Sequence, residues 1–284
     1  MSGCQTLPKL VIFGDPQKGA VSEAIKEFTE FIQGKADIQC SGTISTCTRD
    51  ALDACDYAVV FGGDGSIISA ARALSQAKVP VIGVNLGKLG YLAEFSVPEL
   101  KDLFDSIVAN QTTIEKRMTL TCRISHRKLK DTAVNDVFIA AGPPFRMIEL
   151  DISVDGLRVA SCISDGLIVS TPTGSTAYNL SAGGPILAGA MNAMVITPIC
   201  PHSLSFRPIV INAQSTVEIC GTRVNNGTTV SIDGQVPCAL ASGDVVKITR
   251  SKGHFLVVNN PMRNAWDTLA TKLGWAERPK YNRP

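Results

Sequence analysis

The sequence predicts an open parallel α/β domain followed by an antiparallel, β-rich and sandwich-like domain, with a C-terminal helix returning to the first. Three observations carry this. Up to about residue 112, apolar strands alternate with amphipathic helices, the pattern of a parallel sheet covered by helices. Beyond that point, short β-patterned segments are parted by Gly, Asn, Asp and Pro, as in antiparallel sheets with frequent turns. From about residue 260 helical spacing returns. The expected division is therefore 1–112 with about 260–284, and 113–259.

The elements follow in order. Lys9 to Phe13 reads as a short strand, and Val21, Ile25, Phe28 and Ile32 then recur at helical spacing until Gly34 stops the helix. Tyr57 to Phe61 is a second apolar strand, followed by a helix carrying Ile67, Ile68, Ala71 and Leu74. Val79 to Asn85 is a third strand. Ser96-Val97-Pro98-Glu99 has the form of a capping box and opens a helix with Leu100, Leu103, Phe104, Ile107 and Val108 on one face. In the second half, "MTLTCRIS", "FRMIELDISVDG", "PIVINAQSTVEIC", "TTVSIDGQ" and "DVVKITRS" read as strands, with Asp155-Gly156 as a hairpin turn. The final helix, from about Arg263 to Leu273, carries an apolar stripe of Trp266, Leu269, Ala270 and Leu273.

Bulk composition is that of an ordinary globular chain: 284 residues, 45% apolar, 18% charged, net charge +2. Such a balance gives no general field for nucleic acid or an anionic membrane. The basic run Arg123 to Asp131 reads as a solvated hairpin. The N-terminus lacks the pattern of a signal peptide, and no stretch approaches the roughly 20 apolar residues of a membrane span. A cytoplasmic protein without membrane or nucleic-acid partners is expected. The nine cysteines form no CxxC pair and the three histidines lie far apart. This predicts reduced, mostly buried thiols and no metal site.

Four segments stand out chemically. Gly62-Gly63-Asp64-Gly65 interrupts the chain where a buried strand gives way to a helix, the position at which open α/β sheets bind ligands. Its backbone amides and the following helix suit phosphate oxygens. A carboxylate in that loop repels phosphate, so Asp64 reads either as a helix cap or as a partner for a hydroxyl or a magnesium ion. Ser164 to Pro185, "SDGLIVSTPTGSTAYNLSAGGP", concentrates short hydroxyls around Gly174 in a donor- and acceptor-rich loop. Asn135-Asp136 precedes a strand and suits adenine edges or ribose hydroxyls, though a turn explains it equally. Asp233 and Gln235 in "SIDGQ" sit at a strand end, where a hairpin turn is the default. Lys88, in the loop Asn85 to Tyr91, is a phosphate candidate. His202 and Arg207 read as structural residues.

Taken together, GGDG at 62–65, "GVNLGKLGYLAEF" at 83–95, Asn135-Asp136, "SDGLIVSTPTGSTAY" at 164–178, "GGP" at 183–185, "TPICPHSLSFRPIV" at 197–210 and "DGQ" at 233–235 resemble the NAD kinase family over about residues 57–250. The resemblance implies transfer of a phosphoryl group from ATP, accompanied by magnesium or another divalent cation, to the 2′-hydroxyl of the adenosine ribose of NAD, giving NADP. It implies a homodimer or homotetramer assembled through the β-rich domain. Asp64 matches the aspartate assigned to the reacting hydroxyl. Asn135 and Asp136 match the pair holding the adenosine part, and Asp165, Thr173, Thr176, Ala177, Tyr178 and Ser181 match further NAD-contacting positions. Gly63, Gly65, Tyr91, Ser175, Asp233 and Gln235 complete the candidate substrate-binding set. The chain departs from the family in carrying Asn-Asp where Asn-Glu is frequent, Tyr91 where phenylalanine is frequent, and an unusual opening loop, Gly14 to Gly19. Competing readings are a kinase of the same broad fold acting on a lipid or sugar phosphate, and a non-catalytic dinucleotide sensor. An NAD-dependent dehydrogenase is disfavoured because GxGxxG is missing.

Overall fold

In the computed structural model, residues 7–275 are described except 76, 88–89, 126 and 128–129. Two compact units result. One comprises the described residues up to Glu115 together with those from Leu256 onward; the other is Lys116–Phe255.

The first unit is built from β1 (Lys9–Phe13), α1 (Gly19–Phe31), β2 (Asp37–Gly42), α2 (Arg49–Asp53), β3 (Tyr57–Phe61), α3 (Asp64–Leu74), β4 (Val81–Val84) and α4 (Val97–Val108). Its strands lie in the order β2-β1-β3-β4, every pair parallel. All five residues of β3 are buried, as an inner strand with helices packed on it requires. Phe28 of α1 lies fully buried between Phe61 and Phe104, with ring centroids at 5.7 and 5.8 Å. The Ser96–Glu99 capping box forms: Ser96 Oγ accepts from Glu99 N, and Glu99 Oε2 accepts from Ser96 N at 2.7 Å. Neither β2 nor α2 stands out in the sequence. β2 is a largely exposed edge strand without an apolar run, and α2 is five residues long with Leu52 as its one buried residue.

The second unit runs through β5 (Ile114–Ile124), β6 (Lys130–Ala133), β7 (Asp136–Ala140), β8 (Ile148–Val154), β9 (Leu157–Ser164), β10 (Gly166–Ser170), α5 (Tyr178–Ser181), β11 (Ala193–Ile199), β12 (Ile209–Asn212), β13 (Val217–Arg223), β14 (Thr229–Ile232), β15 (Val236–Ala239) and β16 (Val245–Val258). One antiparallel sheet has the order β12-β11-β10-β7-β14-β15; β16, β13, β8 and β9 form a second, with β5 and β6 paired beside β16. Alternate residues of both sheets, among them Val137, Ile139, Leu167 and Val169 against Leu150, Ile152, Val217 and Ile219, meet in one apolar core. The Asp155-Gly156 hairpin forms between Val154 and Leu157, both turn residues at positive φ.

β16 leaves the second unit at Phe255 and adds its last residues to the first, where Val257 pairs in parallel with Val81. The chain then enters α6 (Ala265–Leu273), capped by Asn264, whose side chain accepts from Trp266 N. Asn260 bonds Glu94, and Arg263 Nη2 donates to both oxygens of Glu99 at 2.8 and 2.9 Å. Leu269 is buried, whereas Trp266, expected on the apolar stripe, is 64% exposed. The stripe is narrower than the spacing suggests because the helix is short and docks through one turn and its ion pairs.

The cysteines require a correction. Cys40 and Cys47 form a disulfide, their Cα atoms 5.9 Å apart. The turn from β2 at Gly42 into a short 3₁₀ segment at Ile44–Thr46 brings together two residues whose separation of seven matches no familiar motif. Cys55, Cys122 and Cys162 are buried thiols, as expected, and burial pushes Cys122 up to about 12. Cys200 is exposed, and Cys4 lies outside the described residues. No helix among the described residues is long and apolar enough to cross a membrane.

Phe28→Ala removes a ring fully buried among aromatic neighbours, so the unfolding free energy should fall by about 3–5 kcal/mol. A lowered urea midpoint at unchanged slope checks it.

Candidate active site

Asp64 is the first residue of α3, after Gly63 as N-cap. It does not cap its own helix. Its side chain turns to the segment following β4, which lies beside β3 in the sheet. Oδ2 accepts from Tyr91 N at 2.9 Å, and Oδ1 accepts from Leu92 N and Ala93 N at 3.0 and 3.3 Å. Three consecutive backbone amides thus converge on one carboxylate. Gly90 permits it: a Cβ there would collide with Asp64 Oδ1. Lys272, in the last turn of α6, places Nζ 3.7 Å from Asp64 Oδ2 and 4.3 Å from the centroid of the Tyr91 ring. Burial and the Asp64 charge together raise the Tyr91 phenol above its usual range. At Gly63 and Gly65 a Cβ would meet open space. Lys88 lies outside the described residues.

In the second unit, antiparallel pairing brings the start of β7 beside the ends of β10 and β14: Asp136 faces Ser170, and Val137 faces Ile232. Asp233 follows β14 at φ 52°, in the expected hairpin turn, with Gln235 N donating to Ile232 O. Its carboxylate reaches across to accept from Val134 N, Asn135 N at 2.7 Å and Asp136 N. Asp136 is itself buried, and burial together with the neighbouring Asp233 charge raises its carboxyl to about 7. Asn135 O accepts from Thr171 N, fixing the hydroxyl-rich loop to the same point. Gly174 lies so close to the Asn135 backbone that a Cβ would overlap it.

The hydroxyls of that loop divide into two kinds. Ser170, Thr171 and Ser175 are buried and bonded internally, Ser175 to Pro172 O and Leu187 N. Thr176 Oγ1 donates to Thr173 O. Thr173 differs: its Oγ1 is buried with no hydrogen-bond partner. Tyr178 sets its ring edge-on to Phe138 at 5.1 Å and remains 40% exposed, with Ala177 and Ser181 beside it on the same short stretch. Asp165 is not brought to this group, since it precedes β10 while the loop follows that strand, about 16 Å away along a five-residue strand. His202 contributes a backbone amide bond to Ile163 O, and Arg207 donates to the carbonyls of Leu204 and Phe206. Gly90 and Lys272 escaped the sequence reading of the site. Gly90 belongs to the flagged loop, but Lys272 lies 208 residues beyond Asp64 and nothing near it in sequence marks it.

Residues 17–112 match the ATP-NAD kinase N-terminal domain and residues 134–260 the ATP-NAD kinase C-terminal domain. The chain belongs to the NAD kinase family. An NAD kinase of Rhodopirellula baltica is 37% identical, covering 97% of this chain and 89% of the relative; one of Geobacter sulfurreducens is 37% identical over 96% and 100%. Among solved structures, a yeast NADH kinase complexed with NADH superposes with a TM-score of 0.88 at 26% identity, covering 99% of this chain and 91% of that one. An Archaeoglobus fulgidus NAD kinase in complex with ATP, TM-score 0.76 and 23% identity over 94% and 99%, shares the fold.

Gly90→Ala should displace the Asp64 carboxylate and lower the kcat of this kinase at least ~10-fold, with the thermal midpoint little changed; steady-state kinetics and a melt check it. Asp136 holds its proton in the folded state up to about pH 7 and gives it up near 4 when unfolded. Its contribution to stability is thus full below pH 4 and lost as pH rises through 7. Asp136→Asn removes that loss, so the mutant should gain on the wild type by about 2 kcal/mol between pH 5 and 8 in urea titrations.

Proposed function

We propose that Asp64 orients the 2′-hydroxyl of the adenosine ribose for in-line attack on the donor phosphorus, within the activity of an ATP-dependent kinase converting NAD to NADP. The observation carrying this role is the carboxylate held by three backbone amides at the carboxyl edge of a parallel sheet. A carboxylate so fixed suits a hydroxyl donor and repels phosphate, which separates acceptor from donor. Phosphoryl transfer asks mainly for alignment and charge neutralisation. Asp64 supplies the alignment and takes up the hydroxyl proton late, as the new O–P bond makes that proton acidic.

The second unit carries the other residues assigned to NAD. Asn135 and Asp136 hold the adenosine part, with Asp233 pinning the backbone of both and Gln235 on the same turn. Thr173 offers its unpartnered buried hydroxyl to the ligand. Thr176, Ala177, Tyr178 and Ser181 are assigned to further NAD contacts, and Ser175 serves by fixing the loop. Gly63 and Gly65 leave room for the donor. Among the described residues no group of three His, Cys, Asp or Glu side chains gathers as a metal site. Magnesium or another divalent cation is assigned to the triphosphate as part of the donor substrate.

Asp165, remote from the other groups within one chain, is assigned to a neighbouring subunit's site in a homodimer or homotetramer. Leu157, Val159 and Ile163, exposed at alternate positions of the edge strand β9, supply an apolar face for a second copy. The reaction is assigned to the cytoplasm, where both substrates are available.

The test incubates the purified protein with NAD, ATP and magnesium and detects NADP with a strictly NADP-dependent dehydrogenase. Asp64→Asn should lower kcat at least ~10³-fold while the KM for NAD stays within ~3-fold. Near-normal turnover in that variant would remove Asp64 from its role. NADP with polyphosphate but not ATP would reassign the donor.

A further inference from the structure

A carboxylate presents about four lone-pair directions to donors. On Asp64 three are taken by backbone amides, two on Oδ1 and one on Oδ2. Those donors belong to consecutive residues, so none can leave without rebuilding the segment. The remaining side of Oδ2 is faced by the Lys272 ammonium at 3.7 Å, a charge contact longer than a hydrogen bond. The other contact of that ammonium is the face of the Tyr91 ring. An incoming hydroxyl needs an acceptor direction on Asp64, and the one open to it lies under Lys272.

We propose that Lys272 is a catalytic residue that exchanges partners during turnover: it rests on Asp64 in the free enzyme and moves to the transferring phosphoryl group when the hydroxyl takes its place. The reading rests on the role assigned to Asp64. Reacting oxygen and phosphorus must approach within about 3–3.5 Å, so a hydroxyl bonded to Oδ2 brings phosphoryl oxygens within the sweep of a four-carbon side chain. Losing part of its carboxylate contact, the ammonium turns to the nearest new negative charge. The transferred group leaves ADP and bonds to the ribose oxygen, whose proton passes to Asp64. Lys272 forms and breaks no covalent bond and neutralises charge that grows on the equatorial oxygens.

The surrounding structure fits a positioned cation rather than a stray surface lysine. Lys272 as a residue is exposed, but its ammonium lies against the Asp64 carboxylate and over the Tyr91 ring. α6 is fixed at its start by the Asn264 cap and the adjacent Arg263–Glu99 pair, and at its end by Gly274 in the left-handed conformation. Among the described residues near Asp64, the groups facing Lys272 are this carboxylate and the Tyr91 ring.

The experiment compares Lys272→Met, Lys272→Arg and Asp64→Asn in the full chain by steady-state kinetics with NAD and MgATP, with a thermal melt of each. Lys272→Met should lose ~10²-fold in kcat with the KM for NAD within ~3-fold, and Lys272→Arg should recover most of that loss. All melts should lie within a few degrees of the wild type. A kcat of Lys272→Met within twofold of the wild type, with Asp64→Asn inactive, would overturn this inference and leave Asp64 in place. An increase in kcat would make Lys272 a plug, and would also overturn it. An active Asp64→Asn would overturn the reading beneath both.

Discussion

The convergence of three backbone amides on the Asp64 carboxylate is the constraint around which the first unit is organised. It requires β3 and β4 to be neighbours, so that the residue after one strand meets the segment after the other. Parallel pairing of Val60 with Gly83 and Phe61 with Val84 supplies that. It also requires the missing side chain at Gly90. Burying β3 on both faces then stops being only a matter of stability: the apolar run sets the height at which Asp64 emerges. A carboxylate on a looser loop would sample several directions; here amides of fixed geometry choose one.

The second unit solves a related problem by different means. Asp233 does there for residues 134–136 what the 91–93 segment does for Asp64, with the roles of side chain and backbone reversed. A carboxylate collects the amides of a strand start and so orients the side chains of Asn135 and Asp136. Burial of Asp136, with the Asp233 charge adding to it, raises that carboxyl to about 7. Such pairs of carboxyls with divergent environments are common where a protein must present both a donor and an acceptor.

Much of this architecture was legible in the sequence, for identifiable reasons. Inner strands such as Tyr57–Phe61 and capped amphipathic helices such as the one after Ser96 declare themselves by local pattern. GGDG and the Ser/Thr segment declare themselves by composition. What stayed hidden depends on distance along the chain or on the lack of an apolar face. β2 is an exposed edge, α2 is short, and the Cys40–Cys47 bridge depends on a turn that no residue pattern announces. Composition also does not separate the hydroxyls of the Ser/Thr loop by partner: Ser175 is bonded to Pro172 O and Leu187 N inside it. Thr173, its near neighbour, is the reverse case.

β16 ends in the first unit, and α6 follows it there, although everything between Lys116 and Phe255 belongs to the second. During synthesis the strands β1 to β4 therefore emerge long before the residues that complete their sheet edge and supply Lys272. The Asp64 loop precedes the entire β-rich unit along the chain, and the lysine that faces it follows that unit. A chain interrupted anywhere in that unit lacks the lysine that faces Asp64. The Asp64–Lys272 contact thus requires the chain to be complete through α6.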